Sequence, residues 1–284
     1  MLSVNLGPLA ISVGQALIMA AFVVALVVGK LAARRRDVAI GDRLFNLALL
    51  GLVAARIAFV AHYFSSYGLD PLAWIDIRDG GFEVMAGLIV IGFYASYLTA
   101  RQPALRGPLG AALFAGALTW GLTGGVLSLI ENQASRPPET ELYTLGGATT
   151  DLASLQEKTG NRPMVVNLWA TWCPPCRAEM PILEQAQDER SDVLFVFANQ
   201  AESAPTIRKF MDRMQLDMDH VLRDRRGDVA RQAGSAALPT TLFYDADGRL
   251  VHSHLGQLSK ATLAQALERF GPAPYNSTQA KDLE

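Results

Sequence analysis

The only two cysteines of this 284-residue chain are Cys173 and Cys176, and their spacing constrains the fold more than any other feature. They follow an apolar run, residues 164–169, that predicts a buried strand, and the residues after them have helical character. The pair therefore lies at a strand-to-helix junction with Cys173 at the helix N-terminus. Free backbone N–H groups and the helix dipole favour an anion there, and the thiolate is the reactive form of cysteine.

The residues between the cysteines are consistent with this placement. Pro174 and Pro175 fix φ in the first helical turn, where their missing N–H groups cost nothing. One helical turn also brings the two Cα atoms close enough for a disulfide. The alternatives are a structural disulfide and half of a zinc site, but a structural zinc site needs four ligands and the sequence has no second Cys/His cluster. The pattern therefore favours redox chemistry.

Composition divides the chain into two unlike halves. Half of the residues are hydrophobic and 18% are charged, and the apolar excess lies mostly in residues 1–130. We expect a transmembrane domain at 1–131, a polar linker with paired prolines at 132–140, an α/β domain at 141–272 and a flexible tail at 273–284. The net charge of −2 gives no indication of a nucleic-acid partner.

The first domain has four stretches that are long and apolar enough to cross a bilayer. They are residues 9–29, 44–64, 82–100 and 109–130. Lys and Arg residues cluster after the first stretch and again after the third, and basic loops remain in the cytoplasm. The N-terminus and the cysteine-containing domain are therefore predicted outside a bacterial inner membrane, in the periplasm, where a thiol pair can be oxidised or reduced.

Arg56 interrupts the second of these stretches. A charge inside a membrane span is costly and raises the hypothesis of a functional site. Arg56 is expected in the outer half of its helix, where it can reach toward Glu83 or Asp79. A structural ion pair or an interfacial anchor is the simpler interpretation and is favoured.

Two segments of the first domain, GLVAARIAFVAHYF at 51–64 and RDGGFEVMAGL at 78–88, resemble the early helices of bacterial prolipoprotein diacylglyceryl transferases. The resemblance implies a related helix bundle in contact with membrane lipids. That family has a His-Gly-Gly-type motif here, whereas residues 84–87 contain no His, so transferase activity is not expected. The predicted spans also lack cysteine, so the bundle is expected to anchor the second domain or to dock a partner.

The second domain alternates strands and helices and ends in a hairpin and a last helix, which is an α/β pattern. The segment VVNLWATWCPPCRAEMP at 165–181, the step Leu238-Pro239-Thr240 and the hairpin resemble the thioredoxin fold, in particular its membrane-anchored TlpA/ResA/CcmG branch. The resemblance covers about residues 142–271. The predicted fold class is therefore α plus α/β, a four-helix transmembrane bundle followed by a thioredoxin-like domain.

The resemblance also implies roles for single residues. Cys173 is the attacking thiolate and partly exposed, and Cys176 is the buried resolving thiol. Pro239 is the cis-proline beside the disulfide, with Thr240 as its supporting neighbour. Trp172 is expected to pack beside the cysteine pair and to limit access to it.

Two departures from the thioredoxin pattern affect the chemistry. Asn167 stands where thioredoxin itself has a buried Asp, and Asn cannot titrate. Proton transfer then needs water or another carboxylate, and Glu179, one turn after Cys176, is a candidate, although a surface Glu in a first helical turn also has an ordinary structural explanation. The pair Pro174-Pro175 replaces the Pro-His of strong oxidases, which shifts the expected potential toward that of a reductant.

His252 and His254 share one face of a predicted strand and could bind a metal, but a solvated strand face is the simpler interpretation. We expect no metal and no cofactor other than the redox-active disulfide.

The sequence thus predicts a membrane-anchored periplasmic thiol–disulfide oxidoreductase that reduces protein disulfides by dithiol–disulfide exchange. The resemblance implies substrates in cytochrome c maturation or copper-centre assembly, and a membrane thiol reductase as electron donor. Two alternatives stay open. One is an oxidase or isomerase of the same fold, and the other is a lipid-interacting membrane protein whose redox domain is regulatory.

Overall fold

The computed structural model describes residues 3–6, 9–34, 38–133, 136–235 and 237–271. The chain divides into two compact units, one of residues 11–130 and the other of the remaining chain. The tail predicted at 273–284 lies outside the described residues, and so do residues 134–135 of the predicted linker.

Two short paired strands, β1 (Ser3–Leu6) and β2 (Leu9–Ser12), precede the first helix. That helix, α1 (Val13–Ala33), begins four residues later than the span predicted from residue 9. The cause is a capping box, in which Ser12 Oγ accepts from the Gln15 N–H while the Gln15 side chain accepts from the Ser12 N–H.

Apart from two short 3₁₀ helices, Ile77–Asp79 and Pro103–Leu105, the remaining elements of the helical unit are α-helices. They are α2 (Ile40–His62), α3 (Phe64–Tyr67), α4 (Pro71–Ile75), α5 (Val84–Arg101) and α6 (Arg106–Gln133). Among the described residues, three helices are long and apolar enough to cross a membrane, namely α1, α2 and α5. The fourth predicted span, 109–130, lies within α6 and stays a prediction.

Small residues lie at several of the contacts between these helices. A Cβ atom at Gly87 of α5 would stand 2.8 Å from the carbonyl oxygen of Gly51 on α2, so the two helices approach at their glycines. Some large apolar side chains, such as Phe59, are buried, whereas others, such as Ile57 and Phe93, are exposed. Close approach at small residues and exposed large apolar residues are typical of helices packed in lipid. On α1 the buried positions are Ala21, Ala25, Gly29 and Ala33.

The second unit is a seven-stranded sheet with helices on both faces, in the strand order β4-β3-β7-β6-β5-β8-β9. Its strands are β3 (Leu142–Thr144), β4 (Thr149–Thr150), β5 (Met164–Trp169), β6 (Leu194–Gln200), β7 (Val221–Asp224), β8 (Thr240–Tyr244) and β9 (Leu250–Leu255). Its helices are α7 (Leu152–Lys158), α8 (Pro174–Glu189), α9 (Ala204–Met214), α10 (Asp228–Gln232) and α11 (Lys260–Leu267). β5, β6 and β7 run parallel, and the other pairs are antiparallel.

β5 is buried along its whole length because both of its faces supply a core. Val165 and Trp169 belong to the cluster that packs under α8, α9 and α11, whereas Val166 and Leu168 belong to the cluster under α7 and α10. Alternate residues of a strand face opposite sides of its sheet, and a strand covered on both sides reads as a continuous apolar run. The uninterrupted run predicted this strand with the same ends, and the two cysteines follow it at the edge of the sheet.

Candidate functional site

Cys173 is the N-cap residue of α8 and Cys176 lies in its first turn. A disulfide joins them, with 5.3 Å between the Cα atoms, and Cys173 Sγ accepts a hydrogen bond from the Cys176 N–H at 3.2 Å. Pro174 and Pro175 occupy the first two positions of the helix, as the sequence predicts. The sulfur of Cys173 therefore lies at the positive end of a 16-residue helix, which stabilises a thiolate after reduction.

The cysteine pair is more enclosed than the sequence predicts. Cys173 is 3% exposed and Cys176 is fully buried, whereas Trp172 is 67% exposed. The expected arrangement, a partly exposed Cys173 with Trp172 packed beside the pair, is therefore reversed. Both cysteines belong to the same core cluster as Trp169, because the strand-to-helix junction turns them inward. Trp172 presents its indole to solvent.

Pro239 directly precedes β8, and the peptide bond before it is cis, as the resemblance implies. Thr240 is buried and pairs in register with Leu168 of β5, just before the segment that carries the cysteines. Its Oγ1 donates to the Ala237 carbonyl at 2.8 Å and lies 2.6 Å from Ser235 Oγ. These contacts fix the loop that ends in Pro239 at the same edge of the sheet as the cysteines.

Glu179 is fully buried, so the surface explanation for it is wrong. Its Oε1 accepts from Asn167 Nδ2 at 2.7 Å, and its Oε2 accepts from the Leu258 N–H at 2.8 Å. Burial raises the pKa of Glu179 to about 8, against the two hydrogen bonds, which lower it. A carboxyl group that titrates near neutral pH thus lies one helical turn after Cys176.

Asn167, the other half of this buried pair, lies on β5 and is itself buried. Its Nδ2 group donates a second hydrogen bond to Thr241 Oγ1 on β8, at 3.0 Å. Its Oδ1 atom has no hydrogen-bond partner among the residues that the structure describes. Asn167 therefore links α8 to β8 through one end of its amide.

Glu202, which is not among the site residues predicted from the sequence, fixes the loop before the cysteines. Its carboxylate accepts from the Thr171 N–H at 2.7 Å, from Thr171 Oγ1 at 2.6 Å and from Asn199 Nδ2 at 2.7 Å. A signal existed in the sequence, because Glu202 is an acidic residue just after β6, the parallel neighbour of β5. The carboxyl ends of parallel neighbours meet at one edge of a sheet.

Arg56, in the helical unit, is buried and pairs with Asp79, not with Glu83. Nη1 donates to Asp79 Oδ1 at 2.9 Å and to the Gly81 carbonyl at 2.8 Å. Nε and Nη2 donate to backbone carbonyls of the segment that follows α3, those of Ala73, Trp74 and Asp76. All five N–H groups of the guanidinium thus have partners, in agreement with a structural ion pair. Glu83 is the N-cap residue of α5 and donates its own N–H to the Ala55 carbonyl.

His252 and His254 lie on β9 as expected, but no third ligand accompanies them in the part of the chain that the structure describes. Burial lowers the pKa of His252 to about 4, and its ring lies 5.4 Å from the Phe243 ring. Among the described residues, no group of three or more His, Cys, Asp or Glu side chains is arranged to hold a metal ion.

Comparison with known families gives one match for each half of the chain. The Redoxin family matches residues 133–267, and the prolipoprotein diacylglyceryl transferase family matches residues 2–124. The thioredoxin-like protein YneN of Bacillus subtilis is 33% identical over 140 residues, which is 48% of this chain and 79% of YneN. The thiol–disulfide oxidoreductase ResA of Halalkalibacterium halodurans is 30% identical over 133 residues, 46% of this chain and 73% of ResA.

Among solved structures, a secreted Mycobacterium tuberculosis disulfide oxidoreductase homologous to E. coli DsbE is 28% identical. The match covers 46% of this chain and 96% of that one, with a TM-score of 0.40.

Proposed function

The chain belongs to the thioredoxin-like thiol–disulfide oxidoreductases, and we propose that it is a membrane-anchored enzyme that reduces disulfides in periplasmic protein substrates. The observation that carries the proposal is the Cys173–Cys176 pair at the N-terminus of α8, one turn from the buried carboxyl of Glu179. The helix end stabilises a thiolate on Cys173, and the carboxyl provides a place for a proton.

The reaction starts from the reduced pair. The Cys173 thiolate attacks one sulfur of the substrate disulfide, which forms a mixed disulfide and releases the other substrate sulfur as a thiolate. Cys176 then attacks the Sγ atom of Cys173, forms the enzyme disulfide and releases the second substrate thiolate. Two electrons have passed to the substrate, and a membrane thiol reductase restores the dithiol.

Cys176 must lose its proton before it attacks, and Glu179 is the proposed acceptor. A thiol has an ordinary pKa of about 8.5. Because burial raises the pKa of Glu179 to about 8, this carboxyl can accept a proton in the pH range where an ordinary thiol releases one. Asn167 cannot take this proton, but its Nδ2 group holds the acceptor in place.

The surface around the pair is proposed to bind the substrate. Trp172 is exposed next to Cys173 and offers a large apolar contact. The backbone beside Pro239, with Thr240 behind it, is proposed to pair with the substrate chain near its disulfide. Pro174 and Pro175 leave the thiolate without a cationic neighbour between the cysteines, which favours a reductant over an oxidase.

The helical unit is proposed to anchor the enzyme in the inner membrane through four spans, with the fourth in α6. The apolar helices α1, α2 and α5 and the basic segments after α1 and α5 support this orientation, with the N-terminus and the second unit in the periplasm. Membrane lipids then surround the exposed apolar faces. In line with the resemblance to the TlpA/ResA/CcmG branch, we propose substrates of the kind found in cytochrome c maturation or copper-centre assembly.

A lipid-processing function is the second candidate, because residues 2–124 match the transferase family. The fully paired guanidinium of Arg56 weighs against it, since that group has no N–H left for a lipid headgroup.

The reduction potential of the full chain in detergent micelles tests the proposal. Equilibrated in glutathione or dithiothreitol buffers, the pair should have a potential near that of thioredoxin, about −270 mV. A value near that of the strong oxidases, about −120 mV, would make the enzyme an oxidase. Cys173→Ser should lower disulfide reduction to the uncatalysed rate, and full activity in that variant would move the function to the helical unit.

A further inference from the structure

Asn167 holds the buried carboxyl of Glu179 with one end of its amide and leaves the other end unused. Nδ2 donates to Glu179 Oε1 and to Thr241 Oγ1, while Oδ1 is buried without a hydrogen-bond partner in the described part of the chain. A buried polar atom without a partner costs free energy and calls for a physical explanation.

Both partners of this amide can exchange donor and acceptor roles. An ionised Glu179 only accepts hydrogen bonds, but a protonated Glu179 donates one through its O–H, and the Thr241 hydroxyl can donate or accept. Half a turn about the last side-chain bond of Asn167 would place Oδ1 where Nδ2 now lies. In the turned amide, Oδ1 could accept a hydrogen bond from a protonated carboxyl. In the observed orientation, Nδ2 donates to an ionised one.

We propose that Asn167 is a two-orientation positioning residue, whose amide turns over when Glu179 gains or loses a proton. With Glu179 ionised, Nδ2 donates to Glu179 Oε1 and to Thr241 Oγ1. With Glu179 protonated, the Glu179 and Thr241 hydroxyls both donate to Oδ1. The inference rests on the proposed role of Glu179 as proton acceptor and explains how that carboxyl stays hydrogen-bonded in both of its states.

The number of hydrogen bonds is the same in the two orientations. Each has two bonds at one end of the Asn167 amide, while the end without a partner is the Oδ1 atom in the observed orientation and the NH2 group in the turned one. The proton resides on Oε1, because Oε2 of Glu179 accepts from the Leu258 N–H at 2.8 Å throughout. Since the pKa of Glu179 is about 8, both states are populated near neutral pH.

In the described residues, the Asn167 amide is the contact of Glu179 that can adapt to both protonation states of the carboxyl. Burial raises the pKa of Glu179, the hydrogen bonds from the Leu258 N–H and the Asn167 amide lower it, and no charged side chain of the described residues shifts it. The titratable Cys176 precedes it on α8, in a disulfide here. On β9, His254 stands opposite Thr241 in register, with Nε2 3.3 Å from the Gln257 carbonyl.

Nuclear magnetic resonance of the full chain in detergent micelles, with ¹⁵N-labelled asparagine, tests the proposal. The oxidised protein is used because neither cysteine titrates in a disulfide. Well above the pKa of Glu179, the Asn167 Nδ2 protons should show nuclear Overhauser effects to the Thr241 side chain. Well below that pKa these nuclear Overhauser effects should vanish. The pH at which half of their intensity is lost should equal the midpoint of the Glu179 carboxyl titration. Effects that persist unchanged while Glu179 titrates would overturn the proposal.

Three variants separate this role from a merely structural one. Glu179→Gln carries no proton to exchange and should remove the pH dependence of the Asn167 amide. Thr241→Val removes one hydrogen bond from each orientation and should leave the proton affinity of Glu179 within about twofold. Asn167→Asp replaces the amide donor by a second carboxyl beside Glu179 and should raise that affinity at least about tenfold, because two neighbouring carboxyls cannot easily both ionise; equal shifts in Asn167→Asp and Thr241→Val would contradict the proposal. Because the measurement uses the resting oxidised protein, a fixed amide would leave the reductase assignment intact, and an oxidase potential would leave the amide result intact.

Discussion

Arg56 in the helical unit and Glu179 in the α/β unit are both buried ionisable side chains, but their partners differ in kind. Every N–H group of Arg56 has an acceptor, one of them the carboxylate of Asp79. Glu179 has two neutral donors and, among the described residues, no cation in hydrogen-bond contact, so burial raises its pKa to about 8. A buried charge whose hydrogen-bonding groups all have partners stabilises the fold. A buried carboxyl whose pKa lies close to neutral pH can instead exchange a proton.

The largest expected effect concerns the buried ion pair. Arg56→Met leaves the Asp79 carboxylate buried without its cation, which should destabilise the helical unit by about 3–5 kcal/mol. Thermal unfolding in detergent micelles, followed by circular dichroism, measures the loss. The exposed Arg101, changed to Met, is the matched control and should alter stability by no more than about 0.5 kcal/mol.

The double variant Arg56→Met, Asp79→Leu sharpens this test. Because it removes both charges, it should recover most of the stability lost in Arg56→Met. If the double variant is no more stable than the single one, the pair is not the reason for the loss. Disulfide reduction by the second unit should be unchanged in either variant.

The second effect concerns pH and follows from the raised pKa of Glu179. The pKa of Glu179 is 4.5 in the unfolded state and about 8 in the folded state. The folded state therefore binds more protons than the unfolded state at pH values between these two. Stability of the α/β unit should therefore fall as the pH rises from 4.5 to about 8 and stay low above it, by on the order of 3–5 kcal/mol in total.

Glu179→Gln removes this pH dependence and the proton acceptor together. The variant should be more stable than the natural protein at pH 9, yet it should resolve the mixed disulfide about 100-fold more slowly at neutral pH. Stability follows from denaturant titrations at several pH values, and resolution from single-turnover kinetics. A variant that is less stable at every pH and resolves at the normal rate would make Glu179 a structural residue like Arg56.

The sequence predicts the strands and helices of the second unit well, but it does not predict the environment of the buried polar groups in that unit. The strand β5, the cysteine pair and the step at Pro239 follow from local patterns, namely a continuous apolar run, a spacing and a proline before a strand. Glu179 lies in the first turns of a helix, where acidic residues are commonly exposed. One of its two hydrogen bonds comes from the N–H of Leu258, 79 residues further along the chain. No local pattern reports a contact of that separation.

Local patterns also fail for other reasons. Hydrophobicity places the start of α1 too early because Ser12 stands among apolar residues, and its capping role depends on the reciprocal bond to Gln15. Arg56 reaches Asp79 only because the chain between α3 and α5 folds back over α2, which brings the carbonyls of Ala73 and Trp74 to the guanidinium. The hydrophobicity of residues 44–64 predicts the length of a membrane-spanning helix. It does not predict that the chain between α3 and α5 folds back over α2.

A smaller effect is expected at Glu202, which positions the loop before Cys173. Glu202→Ala removes all three hydrogen bonds to its carboxylate and should slow thiolate attack about tenfold, because the loop loses its fixed geometry. Thr171→Val removes one of the three and should slow it about twofold, whereas Thr171→Ser keeps the hydroxyl and should restore the rate. The exposed Glu157→Ala is the control, and an equal loss there would show that charge and not position matters.

The smallest effect is expected at Trp172, where the structure and the sequence prediction disagree. If the exposed indole binds substrate, Trp172→Ala should raise KM for a protein disulfide about threefold and leave kcat unchanged, since such contacts are equal in ground and transition states. A small disulfide such as oxidised glutathione cannot reach the indole and the sulfur together, so its reduction should not change. If Trp172 instead shields the pair, as the sequence predicts, the same variant would reduce the small disulfide faster. The two substrates therefore decide between a docking residue and a cover.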